Sequence, residues 1–570
     1  MRRLLLVITI FLVSLSTFGA NMSTIAPLSS EVYENLETLY LLQGLAPPSQ
    51  AKPWSQAEIE SMIGDFTENN LSGLGKSLFK LIKQELEKNK RAVTVGISLS
   101  PEMYAHTNGD EFYLDTDWIY GYDKRKPFAT LLLELRIGDF FYSYGELAYG
   151  YGRVTMQDSL SKIDDLPEIW LGVGALVPQE YGDKPVITLA QSAIYRRSFL
   201  FNLPPVDMID LDTPRRALVA VGGKDWVASL SRDKIEWGNS HIGNFIFDSH
   251  VDYQEYLRFK FFKGRITFDT VFMFMDTNYN SLYSSTFTGP SQLFLTHRLE
   301  IRPWQIFSFA ISENVIYRYD TFEARYLNPA YIYHNLNNSD LFNAIAHIEM
   351  NLTPLPGLQL YGQSVLDQAR APTESDSEAS AWGFSAGLTY KRSLQKGILS
   401  STAEFAYTTP LLYRRDKVDF LMFHKYSINR HVNYPFHKIL VFDYIGFPYG
   451  GDSQVFLFEA GYRIPSVLTI QVKSLFIRQG EMNFYISHNT DNKNTGQANI
   501  QDKSPYGNKV ADTFAIGISG LYQIPQLFSC IDISLFSQID RIERSYWYKD
   551  SQVIENHVDW QFSLGLTLSF

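Results

Sequence analysis

A single cysteine, Cys530, stands in 570 residues, so no disulfide within the chain can staple the fold. Past the first twenty residues there is no apolar run of the roughly 18 residues that a membrane helix needs. Any membrane contact must then come from strands. Basic residues are in deficit, 50 Lys and Arg against 61 Asp and Glu, for a net charge of −11. An acidic chain is a poor partner for nucleic acid. The motifs of common hydrolytic and redox chemistry are missing as well: His-Glu-x-x-His, Gly-x-Ser-x-Gly, Gly-x-Gly-x-x-Gly and paired cysteines. Gly75-Lys76-Ser77 ends like a phosphate loop, but Asn70 stands where that loop requires glycine. The neighbouring carboxylates Asp164 and Asp165, or Asp248 and Asp252, are not shown by spacing to face one sugar, as glycoside hydrolysis demands. The sequence therefore points to no enzyme, and no cofactor or metal site is expected.

Aromatics are abundant, with 40 Phe, 35 Tyr and 9 Trp, 15% of the chain. Tyrosine has an apolar ring and a hydroxyl that seeks water, which suits the level where lipid meets water. Mean hydropathy is −0.14, too polar for a helical membrane protein and suited to strands that are half polar. Arg2 and Arg3, the apolar run Leu4–Val13, and small residues up to Gly19 and Ala20 have the layout of a secretory signal peptide.

Three amphipathic helices are expected next. Val32, Leu36, Leu39 and Tyr40 recur at helical spacing, ended by Gly44 and Pro47-Pro48. Ser55 and Glu58 form a capping box, with Trp54 and Ile59 as a hydrophobic staple. Leu74, Leu78, Leu81 and Ile82 share a third face. From about Val93 the period changes to two, in segments such as AVTVGISLS, RITFDTVFMFMD, LQLYGQSVLD and VFLFEAGYRIP. Short turns (KGRI, TPLPGL) and long polar inserts (Thr373–Ser380, Asn489–Val510) separate them. The last stretch sets apolar Trp560, Phe562, Leu564, Leu566, Leu568 and Phe570 against small or polar neighbours. This is the pattern of an outer-membrane barrel strand, lipid on one face and a polar lumen on the other. The expected fold class is all-β: a transmembrane antiparallel outer-membrane β-barrel of about 16–18 strands after a small N-terminal α-helical domain. The expected division is 1–20 signal peptide, 21–92 periplasmic helical domain and 93–570 barrel. A soluble β-sandwich is the alternative.

Residues 231–262 contain an unusual loop, WGNSHIGN, and a polar patch. Trp237 beside Gly238, with Asn239, His241, Asn244 and Asp248, would offer a sugar ring a stacking face and hydrogen bonds. The competing reading is a barrel turn with a tryptophan at the lipid interface.

The same stretch, RDKIEWGNSHIGNFIFD, resembles the Trp-Gly motif of the Wzi-type capsule assembly proteins of Gram-negative outer membranes. Three further stretches agree in order: Leu327-Asn328-Pro329, LPGLQLYGQSVLDQ with Asp367, and YIGFPYGGDSQVFLFEAGY with Gly446, Pro448, Gly450 and Asp452. Asn239-Ser240 replaces the family's Pro-Gly, and Phe447 replaces its histidine before proline. These departures leave the fold intact and the ligand open. The resemblance implies a non-enzymatic protein of the cell outer membrane that assembles, binds or retains capsular or surface polysaccharide. Its implied partners are that polysaccharide, outer-membrane lipid and, through the C-terminal phenylalanine, the barrel-assembly machinery. A porin-like channel for a small or apolar solute and a surface adhesin use the same barrel and remain alternatives.

Overall fold

The computed structural model describes residues 21–47, 49–88, 91–112, 117–121, 123–150, 198–202, 215–275, 291–319, 324–328, 330–333, 342–368, 379–414, 420–430, 434–482, 503–528 and 531–570. The expected signal peptide, Cys530, Pro329, Asp164, Asp165 and most of 373–380 and 489–510 lie outside these residues.

Three helices come first: α1 (Glu31–Leu42), α2 (Gln56–Ile63) and α3 (Gly73–Lys88). Ser30 and Ser55 cap α1 and α2, accepting hydrogen bonds from Val32 N and Glu58 N. Leu36, Leu39, Trp54, Ile59, Met62, Leu78 and Ile82 make one buried cluster, joined by Ile398 of the barrel. The capping box is only half formed. The Glu58 carboxylate turns away from Ser55 and bonds the Lys260 ammonium, because Lys260 is itself fully buried and needs an anion.

From Val93 to Ser569 the chain forms a closed antiparallel barrel. Among the described residues twenty segments make its eighteen strands. Val93–Leu99 and Glu102–His106 are one strand interrupted at Pro101, and Phe199–Phe201 continues Ala129–Ile137 alongside it. The ring closes on the C-terminal strand Ile554–Ser569, with Phe562 opposite Ala105 and Leu564 opposite Met103. Closure leaves no open edge in the ring, the condition for β-structure in hydrocarbon. A hairpin of Leu421–Arg430 and Tyr434–Tyr444 stands apart from the ring.

The period-two pattern sorts the faces. On Ser453–Ile464, Phe456 and Phe458 are exposed while Val455 and Leu457 are fully buried. On the last strand Trp560, Phe562 and Leu564 are exposed and Gln561 and Ser563 buried. Outward Val95, Leu133, Leu230, Ile311, Leu388, Ile518 and Leu535 extend this apolar surface around the ring. So large an apolar belt belongs in lipid and rules out the soluble sandwich.

At one end the strands join through short turns such as Gly138–Phe140, Lys224–Asp225 and Gly264–Arg265. Gly357 is required in one such turn: its φ is +86°, and a Cβ there would strike the Lys391 carbonyl. The helices dock on this end. Arg463 binds Glu31 at 2.9 Å, Gly357 N donates to Leu41 O at 2.7 Å, and Asn21 Nδ2 to Phe141 O at 2.7 Å.

The buried Lys260–Glu58 pair joins α2 to the barrel wall. We expect Lys260→Met to destabilise the protein in detergent by about 3–5 kcal/mol, because Glu58 is left as a buried, unpaired carboxylate. Glu58→Leu in the same chain should restore most of the loss, read as the unfolding midpoint.

Candidate functional site

The lumen is filled. Residues 49–54 enter it from the short-turn end, where Ala51 and Lys52 pair with Trp237 and Glu236 in a two-residue ladder. The loop after Trp237 crosses the bore from the opposite side. Ile242, Phe245, Ile246, Phe247 and Val251 of that loop pack with Tyr413, Phe420, Ile445 and Phe447. Inward residues of the wall, among them Val271, Phe294, Val365, Val455 and Leu457, complete this apolar core. The core lies inside the barrel, where a channel would carry water.

The expected site residues take definite places in this plug. Trp237 is fully buried, edge-on to Phe247 with ring centroids 4.8 Å apart. It is neither an exposed sugar platform nor an interfacial anchor. The ladder to Ala51 and the closing loop leave its ring no free face. Gly238 has φ +122°, and a Cβ would run into the amides of Asn244 and Gln363. Asn239 bonds Asn351. Ser240 Oγ bonds Glu404, and His241 N donates to the same carboxylate at 2.7 Å. His241 Nδ1 lies 3.0 Å from Glu459. Asn244 N donates to Asp248 at 2.8 Å, and Gln363 Nε2 to Asn244 Oδ1 at 2.6 Å.

The other family-like stretches meet the same plug. Asp367 accepts from Tyr413 N at 2.9 Å. The Tyr413 hydroxyl donates to Phe245 O at 2.6 Å and accepts from Phe447 N at 3.1 Å. Gly446 packs so closely that a Cβ would overlap the Phe245 carbonyl. Asp452 accepts from Tyr506 N at 2.8 Å and Met482 N at 3.1 Å, holding these two residues together at the rim. Asn328 is the exception: it is exposed beside the short helix Ala324–Leu327 and accepts from Ala330 N. Asp248 and Asp252 do not act as a pair. Asp248 binds His250, and Asp252 binds Arg215.

Charge in the plug is matched locally. Burial would discharge His250, but Asp248 at 2.8 Å and Asp443 at 3.7 Å hold its pKa up at about 10. Burial would raise Asp248, yet His250 and backbone N–H groups keep its carboxyl below the ordinary range. Burial pushes the Asp452 carboxyl up to about 6 despite its amide donors. His241 is raised by Glu459 and Glu404 against its own burial.

Glu404, Gln363 and Tyr413 anchor the plug and were not singled out from sequence. One signal existed for Glu404: in STAEFAYTT it shares the alternation phase of Thr402 and Ala406, hence the lumen face.

Between the plug and α1 lies a polar chamber of about 360 Å³. The plug residues Gly238–His241 form its roof, and Glu34, Glu37 and Leu41 of α1 its floor. Its wall includes Thr389, Ser400, Thr402, Gly461 and Gln471. Among the described residues, no cluster of three or more His, Cys, Asp or Glu is placed to hold a metal ion.

Fold and site together define a class: an outer-membrane-type β-barrel of eighteen strands, capped by helices and closed by an internal plug. Among solved structures, this architecture is similar to that of Wzi from Escherichia coli, described as an outer-membrane protein involved in group 1 capsule assembly and a carbohydrate-binding β-barrel. The match covers 95% of this chain and 98% of that one, with a TM-score of 0.54 and 12% identity. At that identity the likeness is one of fold. OprD and OccK3 from Pseudomonas aeruginosa align over 84% of this chain and 94% and 95% of theirs, both with TM-scores of 0.37, at 10% and 8% identity. Those two likenesses are too loose to carry an argument. No family model matches the chain, and no curated protein does.

Gly238→Ala should force the plug apart at its tightest bend and lower its local stability by at least about 1–3 kcal/mol, from strain at a non-glycine positive φ. Planar-bilayer recordings should show new conductance in the variant beside a quiet parent. The pH dependence follows from His250. Its folded-state pKa is raised, so its contribution is fully present below about 6.5, the unfolded value, and is lost as pH rises through about 10. His250→Gln should lower the melting temperature at pH 7 and remove most of the parent's decline between pH 7 and 11.

Proposed function

We propose that the protein is a non-enzymatic outer-membrane component that binds and retains surface polysaccharide, with its short-turn end and helices in the periplasm. One observation carries the reading: the bore is packed with apolar side chains where a diffusion channel would be wet. The fold likeness to a protein described as carbohydrate-binding and involved in capsule assembly supports the same reading. Buried glycines and short hydrogen bonds brace the plug against motion, which suits holding a polymer better than passing a solute. Contact with a repeating glycan can be weak at each unit and strong in sum. The outward apolar belt supports outer-membrane lipid as a partner.

A deletion strain should shed surface glycan into the medium while its total synthesis is unchanged, measured by immunoblot of cell and supernatant fractions. Full retention of every surface glycan would defeat the reading. Steady conductance by the purified parent protein would favour a channel instead.

A further inference from the structure

We propose that the chamber between α1 and the plug is a binding site for a neutral sugar unit, entered from the short-turn end. The assignment rests on the polysaccharide reading and places a glycan contact at the inner mouth of the barrel.

Size is the first argument. About 360 Å³ lies within the roughly 300–1,000 Å³ range of small-ligand pockets. Charge is the second. The ions around the chamber are matched within the protein: Lys52 lies 3.0 Å from Glu37 and 3.2 Å from Glu236. Arg463 lies 2.9 Å from Glu31 and 3.3 Å from Glu34, and Lys391 lies 3.9 Å from Glu34. His241 and Lys473 lie 3.0 and 3.2 Å from Glu459. Such a lining offers no excess of either sign to an ionic ligand, so a strongly anionic or cationic occupant would have to break an existing pair.

The third argument is the uncharged lining. Thr389, Ser400, Thr402, Thr469 and Gln471 line the space; the Thr389 and Thr402 hydroxyls bond each other at 2.9 Å and Ser400 Oγ donates to Gly461 O at 3.4 Å, each keeping capacity for a further bond. Each of these groups both donates and accepts, as sugar hydroxyls do. Among the described residues, the Thr469 and Gln471 side chains make no hydrogen bond to protein, and both face the chamber.

Geometry makes the site one-sided. The roof is fixed by Ser240 and His241 on Glu404, and the apolar plug lies beyond it. Glu34 at the floor is half exposed, so access is beside α1. An occupant would touch the roof loop and the helix together, adding contacts between the helices and the plug.

The test uses the full chain in a detergent without a sugar headgroup. Saturation-transfer NMR is run with glucose, galactose, mannose and lactose, alongside glucuronate and glucosamine. At least one neutral sugar should bind, and Thr402→Val with Gln471→Leu should weaken it about tenfold, the loss of one or two hydrogen bonds. Heat-modified migration on gels checks that the double variant is folded. In a second measurement, that sugar should protect Thr469→Cys, in a Cys530→Ser background, from a polar maleimide. Binding of glucuronate or glucosamine alone, binding unaffected by the double variant, or absence of binding and of protection would overturn the chamber assignment. Such a failure beside glycan loss in the deletion strain would leave the polysaccharide reading standing. Chamber binding beside unchanged glycan retention would defeat that reading alone.

Discussion

A strand with hydrocarbon on one side must dispose of its other side within the ring, and here that side is filled. The outward residues are apolar because water is absent there. The inward residues include Arg258, Lys260, Asp269, Arg298, Glu300 and Glu349, all almost fully buried. Ions so placed are costly unless each has its partner. Arg258 holds Asp269 through bonds of 2.6–3.1 Å, and Arg298 reaches Glu349 at 2.9 Å. Two of these cations also depend on the N-terminal segment. Lys260 donates to Ala51 O at 2.7 Å, and Arg258 to Pro53 O at 2.9 Å. The segment between α1 and α2 is thus part of the barrel interior as much as of the helical region.

That dependence links the two ends of the molecule. The N-terminal segment brings Ala51 into the bore from one side, and the chain at Trp237 approaches from the other. Where they meet, the backbone satisfies itself in a short ladder, and the Trp237 ring seals the joint. Above the joint the interior is an apolar core like that of a soluble domain. Below it lies the polar chamber. The polysaccharide proposal and the chamber proposal use this division: a barrel closed across its middle can hold a ligand at either mouth.

Much of the architecture was legible in the chain. Alternation identified most strands, because period two survives any registry of the ring. The strands Phe141–Tyr149, Trp226–Asp233 and Phe342–Leu355 were not marked, since Gly, Ser, Asn or charged residues interrupt their patterns. The Leu421–Tyr444 hairpin was also missed; neither of its strands joins the ring. The site was legible in part. Stretches around Trp237, Asp367 and Gly446 stood out by their residues, and they converge on one plug. Trp237 was read as exposed, because a Trp-Gly pair between polar residues looks like a surface loop. The loop folds inward instead, since Gln363 and Glu404 on two different strands supply its hydrogen bonds.

By itself the sequence determined what local chemistry can determine. Residue alternation set which face of each strand meets lipid, helical spacing set the buried side of α1 to α3, and Gly357 permitted a tight turn. What fills the bore was decided only by tertiary structure. The plug is held by partners more than a hundred positions apart, such as Phe245 with Gln363 and Tyr413 with Phe245. A contact of that kind leaves no period in the chain, so closure of the barrel alone brings it into being.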